Sequence, residues 1–168
     1  MKRARVLVPL LTAVASLAAL TGMAHAAGRP EIVFFPPGDI DLGNLNDGPT
    51  GAVCDFPVGV VVHNSRAGHA IIFDGHPSGY AAMVGGHLSQ TITNLDTGKS
   101  VTVNISGPGW LNGDFIPAVG TGPWTIFEPI SEGGIRFFHG RMRFVPVPYG
   151  VHAILIAGTE EDLCDRVA

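Results

Sequence analysis

Short apolar–polar alternations, broken about every ten residues by glycine- and proline-rich clusters, constrain this chain more than any other feature of its sequence. Cys54, Phe56, Val58, Val60 and Val62 fall on one face of a period of two that ends at His63. Successive side chains of a strand point to opposite faces, so this spacing predicts a strand with a buried side. Asn64-Ser65-Arg66-Ala67-Gly68 then reads as a turn, His69–Phe73 as a strand, and Asp74-Gly75-His76-Pro77-Ser78-Gly79 as the next turn. Tyr80–Val84 follows and ends at Gly85-Gly86. Leu88–Leu95 and Ser100–Ser106 flank Asp96-Thr97-Gly98, the clearest hairpin: a type I turn followed by a glycine able to take the left-handed position. Trp124–Glu128, Ile135–Val145 and Val151–Ala157 complete the set, and on the second of these Phe138, Gly140, Met142 and Phe144 alternate with Phe137, His139, Arg141 and Arg143.

Three stretches read differently. Residues 27–53 are rich in Gly, Pro, Asp and Asn and predict an irregular N-terminal arm. Its apolar run, Ile32–Phe35, is expected to dock as an edge strand that Pro36-Pro37 stops. Gly107–Pro123 is a long Gly/Pro-punctuated stretch carrying Trp110, Phe115 and Ile116 that could supply a further strand. At the C-terminus Thr159 can cap a short helix that carries Cys164, with Glu160, Glu161 and Asp162 near its positive end. The expected fold over residues 54–168 is therefore all-β: one antiparallel up-and-down meander of about eight strands with a short C-terminal helix.

The first residues specify export. Lys2, Arg3 and Arg5 precede an apolar run, Val6–Leu20, and Ala24-His25-Ala26 has the small-x-small form of a cleavage site. Residues 1–26 thus read as a signal peptide cleaved after Ala26, its apolar run too short for a comfortable membrane span. The expected product is secreted and has no membrane span after cleavage. In an oxidising compartment the two cysteines, Cys54 and Cys164, default to a disulfide. Such a bridge closes a loop of about 110 residues, worth about 4–5 kcal/mol on the chain-entropy account. A meander with an even strand count starts and finishes at the same end. A bridge from Cys54 to Cys164 would then pin the first strand against the last, which favours a closed or nearly closed barrel over a β-sandwich.

Charge excludes some partners. With 10 Lys+Arg against 14 Asp+Glu, loss of Lys2, Arg3 and Arg5 takes the net charge from −4 to −7. Lys99 is the one lysine left. A phosphate backbone or an anionic membrane requires a basic footprint, so nucleic acid is not an expected partner.

The run Thr91-Ile92-Thr93-Asn94-Leu95-Asp96-Thr97-Gly98-Lys99-Ser100-Val101-Thr102-Val103-Asn104-Ile105-Ser106-Gly107, with Cys54-Asp55-Phe56-Pro57-Val58 before it and Asp162-Leu163-Cys164 after it, resembles a group of small exported actinobacterial proteins. The resemblance covers most of residues 54–164. It implies export, paired cysteines and a β fold, and brings no catalytic residue with it.

Several constellations can be weighed for chemistry. His63, His69, His76, His87, His139 and His152 share no HxH, HxxxH or HExxH spacing, so no metal set is assigned and no cofactor is implied. Asp39, Asp41, Asn44, Asn46 and Asp47 could offer oxygens to Ca²⁺, but they miss the EF-hand pattern and read as a solvated turn segment. Asp74, His76 and Ser78 lie too close in sequence to form a triad and lack a nucleophile elbow. Asp114 with Glu128 is one of many carboxylate pairs, and Asn104-Ile105-Ser106 matches a glycosylation sequon. No catalytic residue is assigned.

Two features point to binding. His139, Arg141 and Arg143 form a positive stripe on one strand face that suits an acidic ligand. Trp110 and Trp124 flank glycine-rich loops and are expected to line a barrel mouth. The reading that follows is a non-enzymatic exported barrel that binds a small apolar molecule. A protein acting at the cell envelope through its surface is the close alternative, and a small secreted hydrolase ranks third.

Overall fold

The computed structural model describes residues 29–168, so the expected signal peptide and its cleavage point lie outside the described residues. In chain order the strands are β1 (Glu31–Phe35), β2 (Gly38–Asn44), β3 (Val58–Asn64), β4 (Gly68–Ile72), β5 (Ala82–Gly85), β6 (Leu88–Asn94), β7 (Ser100–Asn104), β8 (Gly109–Leu111), β9 (Pro117–Phe127), β10 (Ile135–Val147) and β11 (Gly150–Asp162). The helix α1 (Leu163–Val167) follows. None of the helices among the described residues is long and apolar enough to cross a membrane.

The all-β, antiparallel expectation holds, but the barrel does not. The strands form a seven-stranded sheet, β1-β4-β5-β8-β9-β10-β11, and a four-stranded sheet, β2-β3-β6-β7. Neither sheet closes, and the arrangement is sandwich-like. The correction lies in two connections taken for in-sheet turns. Asn64–Gly68 and Gly85–Leu88 carry the chain from one sheet to the other. These corners run side by side, with Ser65 N donating to His87 O at 3.2 Å. A Cβ on Gly86 would lie 3.4 Å from Gly68 Cα, so two glycines let the crossings approach.

The N-terminal arm is also more regular than expected. Ile32–Phe35 docks as an edge strand, as the sequence predicted, within β1 against β4. Residues 38–44 form a second edge strand, β2, on the other sheet. Gly107–Pro123, the stretch that could supply a further strand, contributes β8 and the first part of β9. The Asp96-Thr97-Gly98 hairpin forms as predicted: Gly98 has φ +75°, and Asn94 Oδ1 accepts from the N–H groups of Asp96 and Thr97.

The helix forms with a different cap. Residues 159–162 stay in β11, paired to β10 as far as Arg136↔Asp162. The ladder prevails over local helix signals, and Asp162 rather than Thr159 caps α1 by accepting from Cys164 N. Cys54 and Cys164 are bonded, with Cα atoms 5.7 Å apart. The bridge joins the lead-in to the four-stranded sheet with the helix that ends the seven-stranded one, so it staples two sheets instead of closing one.

Two cores result. Val58, Val60, Ile92 and Val103 of the four-stranded sheet bury against Val53, Cys54, Ile135, Leu163 and Val167. Ile126, Phe138, Met142, Phe144 and Ala153 of β9, β10 and β11 form the second core. A cross-strand row of glycines, Gly122↔Gly140↔Gly158, runs through these strands, and all three residues have positive φ.

Candidate binding face

In an antiparallel sheet, directly paired residues put their side chains on the same face. The registers of the seven-stranded sheet therefore define a row that crosses every strand: Ile32↔Ile71, Ile71↔Met83, Met83↔Trp110, Trp110↔Val119, Val119↔Arg143 and Arg143↔Ile154. The parallel row one residue on includes Ala70, Gly109, Gly120 and Met142, all buried. The first row is thus the outward face. It is apolar along most of its length, and at its β1 end Ile32 and Phe34 are 56% and 70% exposed.

The β4–β5 loop builds on this face. Phe73, next on the same side after Ile71, stacks on Trp110 with ring centroids 5.8 Å apart and 16° between planes. Tyr80 and His76 reach the same indole, at 5.2 Å and 5.6 Å. His76 also touches Phe73 and Tyr80. Three half-buried rings thus converge around a half-buried Trp110. Such rings present apolar faces with polar edges, a surface suited to flat partners. A depression of about 180 Å³ lined by Pro30, Phe73, Asp74, Gly75, His76 and Pro77 adjoins them.

The two tryptophans do not share a mouth. Trp124 pairs with Phe138 on the inner face and packs on Phe144 at 5.3 Å. Gly107, Gly109 and Gly120 clear the slot it occupies: a Cβ on Gly109 would fall 2.6 Å from its ring. Trp124 is a core anchor, whereas Trp110 belongs to the outward face. The glycines that sequence reading took for loop markers are what admit the indole.

His139, Arg141 and Arg143 are exposed, as the alternation predicted. Register pairs them with Pro123, Thr121 and Val119, so they lie on the face that carries Trp110. Trp110 and Arg143 are two strand spacings apart, about 10 Å. The salt bridges among the described residues leave Arg141 and Arg143 unengaged.

Other candidates resolve into structural roles. His76 Nδ1 accepts from Ser78 N at 3.2 Å. A neutral ring with Nδ1 as acceptor carries its proton on Nε2, so His76 is not poised to take one from Ser78. Most of the N-terminal acid and amide cluster is spent on backbone: Asp41 accepts from Gly43 N, Asn44 from Val58 N, and Asn46 bonds Val53 N, Cys54 O and Phe56 O, while Asp47 accepts from Asn44 Nδ2. Asp114 is exposed in the β8–β9 loop, remote in character from Glu128, which is fully buried. Asn104 of the sequon is exposed on β7, its Oδ1 taken by Ser106 N.

Sequence reading missed two polar assemblies. Glu128 accepts from Arg136 Nη1 at 3.0 Å, and its other oxygen lies 2.6 Å from His152 Nδ1, out of line for a hydrogen bond. Arg136 also holds Glu160 at 2.7 Å and lies over the Phe138 ring. Burial works against the Arg136 charge, but Glu160 and Glu128 outweigh it and raise the guanidinium above its ordinary range. On the other sheet, Asp39, His63, Thr91 and Thr102 link at 3.0, 3.0 and 2.9 Å. The order is that of an orienting acid, a base and a hydroxyl. Backbone bonds Asn94 N→Lys99 O and Ile105 N→Leu88 O bracket the β6–β7 ladder and make Thr91↔Thr102 a non-hydrogen-bonded pair. Close side chains are the norm there, so the chain is a cross-strand ladder on a solvent face. These groups are far apart in sequence, and only register could have brought them together.

Compared with known proteins, the chain matches no family model, no curated protein and no solved structure. The functional reading therefore rests on the site itself.

Proposed function

We propose that this is a secreted binding protein, released by cleavage after Ala26, that acts through the outward face of its seven-stranded sheet. The observation that carries this reading is the convergence of Phe73, His76, Tyr80 and Trp110 on a face whose β1 end leaves Ile32 and Phe34 open to solvent. Contiguous apolar surface of this kind marks an interaction site. The interior offers less support for an apolar ligand. Phe138 and Met142 are fully buried, and Trp124 fills the slot left by three glycines. A larger cavity of about 400 Å³ opens beside Cys164 at the surface, away from this face.

The test is co-sedimentation with an insoluble bacterial cell-wall preparation. The wild-type protein is expected in the pellet. The Trp110→Ala/Tyr80→Ala variant, checked for an unchanged fold by circular dichroism, is expected in the supernatant. Equal pelleting of both would rule out the aromatic face as the point of contact.

A further inference from the structure

Two exposed arginines, Arg141 and Arg143, sit beside the aromatic face and form no ion pair among the described residues, although acids outnumber basic residues two to one beyond the signal region. The arginines near available carboxylates are paired: Arg136 with Glu128 and Glu160, Arg166 with Glu161. Cations left open on one face of an acidic protein, next to stacked rings, describe a ligand with both flat apolar faces and negative charge.

We propose that the face binds an acidic polysaccharide, a chain of uronate sugars laid across β8, β9 and β10. This deepens the reading above and rests on it. A sugar ring rests its C–H face on the aromatic cluster around Trp110, the chain passes over Val119, and a carboxylate further along meets Arg143 or Arg141. The geometry suits an extended polymer. Trp110, Val119 and Arg143 are successive members of one cross-strand row, spanning about 10 Å, and twist turns the sheet by only about 45° over that distance. The guanidinium fork is matched to carboxylate, and His139 lies further along the same side of β10. The two cavities described lie off this row, so a ligand here lies on the sheet and does not enter it. An anionic membrane offers the same local charge, but a broad surface meets the whole molecule, and the net negative charge repels it.

Titration calorimetry of the protein with sodium polygalacturonate tests this, with the fully methyl-esterified polymer and phosphatidylglycerol vesicles as parallel arms. The acid polymer is expected to bind. Methyl esterification, or Arg141→Gln/Arg143→Gln, should each weaken binding at least tenfold, and Trp110→Ala should weaken both polymers. Vesicles should not bind. Equal affinity for acid and esterified polymer, lost in Trp110→Ala, overturns the anionic class and leaves the aromatic face standing. Affinity for the acid polymer that Trp110→Ala does not alter overturns the face itself. Binding to vesicles but not to polymer replaces the sugar with a lipid surface, and no binding in any arm overturns the acidic class.

Discussion

Gly140 occupies a position that leaves no room for a side chain. It sits in the middle of β10 with φ +154°, between Gly122 and Gly158 on the flanking strands. A Cβ at this position would lie 2.1 Å from Ala157 O, a backbone atom that cannot swing aside. Gly140→Ala is expected to destabilise by about 3 kcal/mol, from backbone strain and overpacking together. Gly113→Ala, at a loop position with open space and ordinary φ, should stay within about 0.5 kcal/mol. Urea denaturation of the pair reads the difference, and comparable midpoints would show that the strands shift to admit a side chain at little cost. Arg136 makes a second residue-scale case. Arg136→Met would leave the carboxylate of Glu128 buried without its guanidinium, which typically costs about 3–5 kcal/mol. Because the Arg136 pKa is raised, its contribution is fully present at neutral pH and is lost only in strong alkali. A wild-type urea midpoint for Arg136→Met at pH 7 would mean that His152 alone satisfies Glu128.

At the scale of elements, legibility followed the range of the forces involved. The β6–β7 hairpin was fully readable, since its turn chemistry lies within five residues and Asn94 caps it locally. Gly98→Val is expected to cost about 1–2 kcal/mol, because a branched residue tolerates φ +75° poorly. An unchanged melting temperature would show that the turn relaxes without loss. The exposed face of β10 was readable too, from alternation alone. β2 was not: Gly38-Asp39-Ile40-Asp41-Leu42-Gly43 has a weak strand composition, and it becomes a strand because β3 supplies a ladder. Residues 159–162 err in the same way, with helix signals overridden by pairing to β10. Trp110, expected at a barrel mouth, instead sits half-buried on the outward face of an open sheet. Its partners Phe73, His76 and Tyr80 were hidden in a turn that sequence reading could place but not fold back over the sheet.

The molecule as a whole turns on the difference between closing one sheet and stapling two. Cys54 lies in the first core ahead of β3, and Cys164 lies in α1, whose Leu163 and Val167 are fully buried in that same core. Side chains of the four-stranded sheet also grip the helix, with Asn94 Nδ2 donating to Val167 O and Lys99 Nζ to Ala168 O. The bridge spans 110 residues of chain, and its loss should remove about 4 kcal/mol. A staple makes a more specific demand than that magnitude. In Cys54→Ser/Cys164→Ser the contact between sheets loosens first, while β9–β11 keep their own core of Phe138, Met142 and Phe144. Amide hydrogen exchange is expected to rise in α1 and at the start of β3, with the amides of β9 and β10 still protected. Exchange rising equally through β10 would mean that the sheets open as one unit, with the bridge adding stability to the whole rather than holding its halves together.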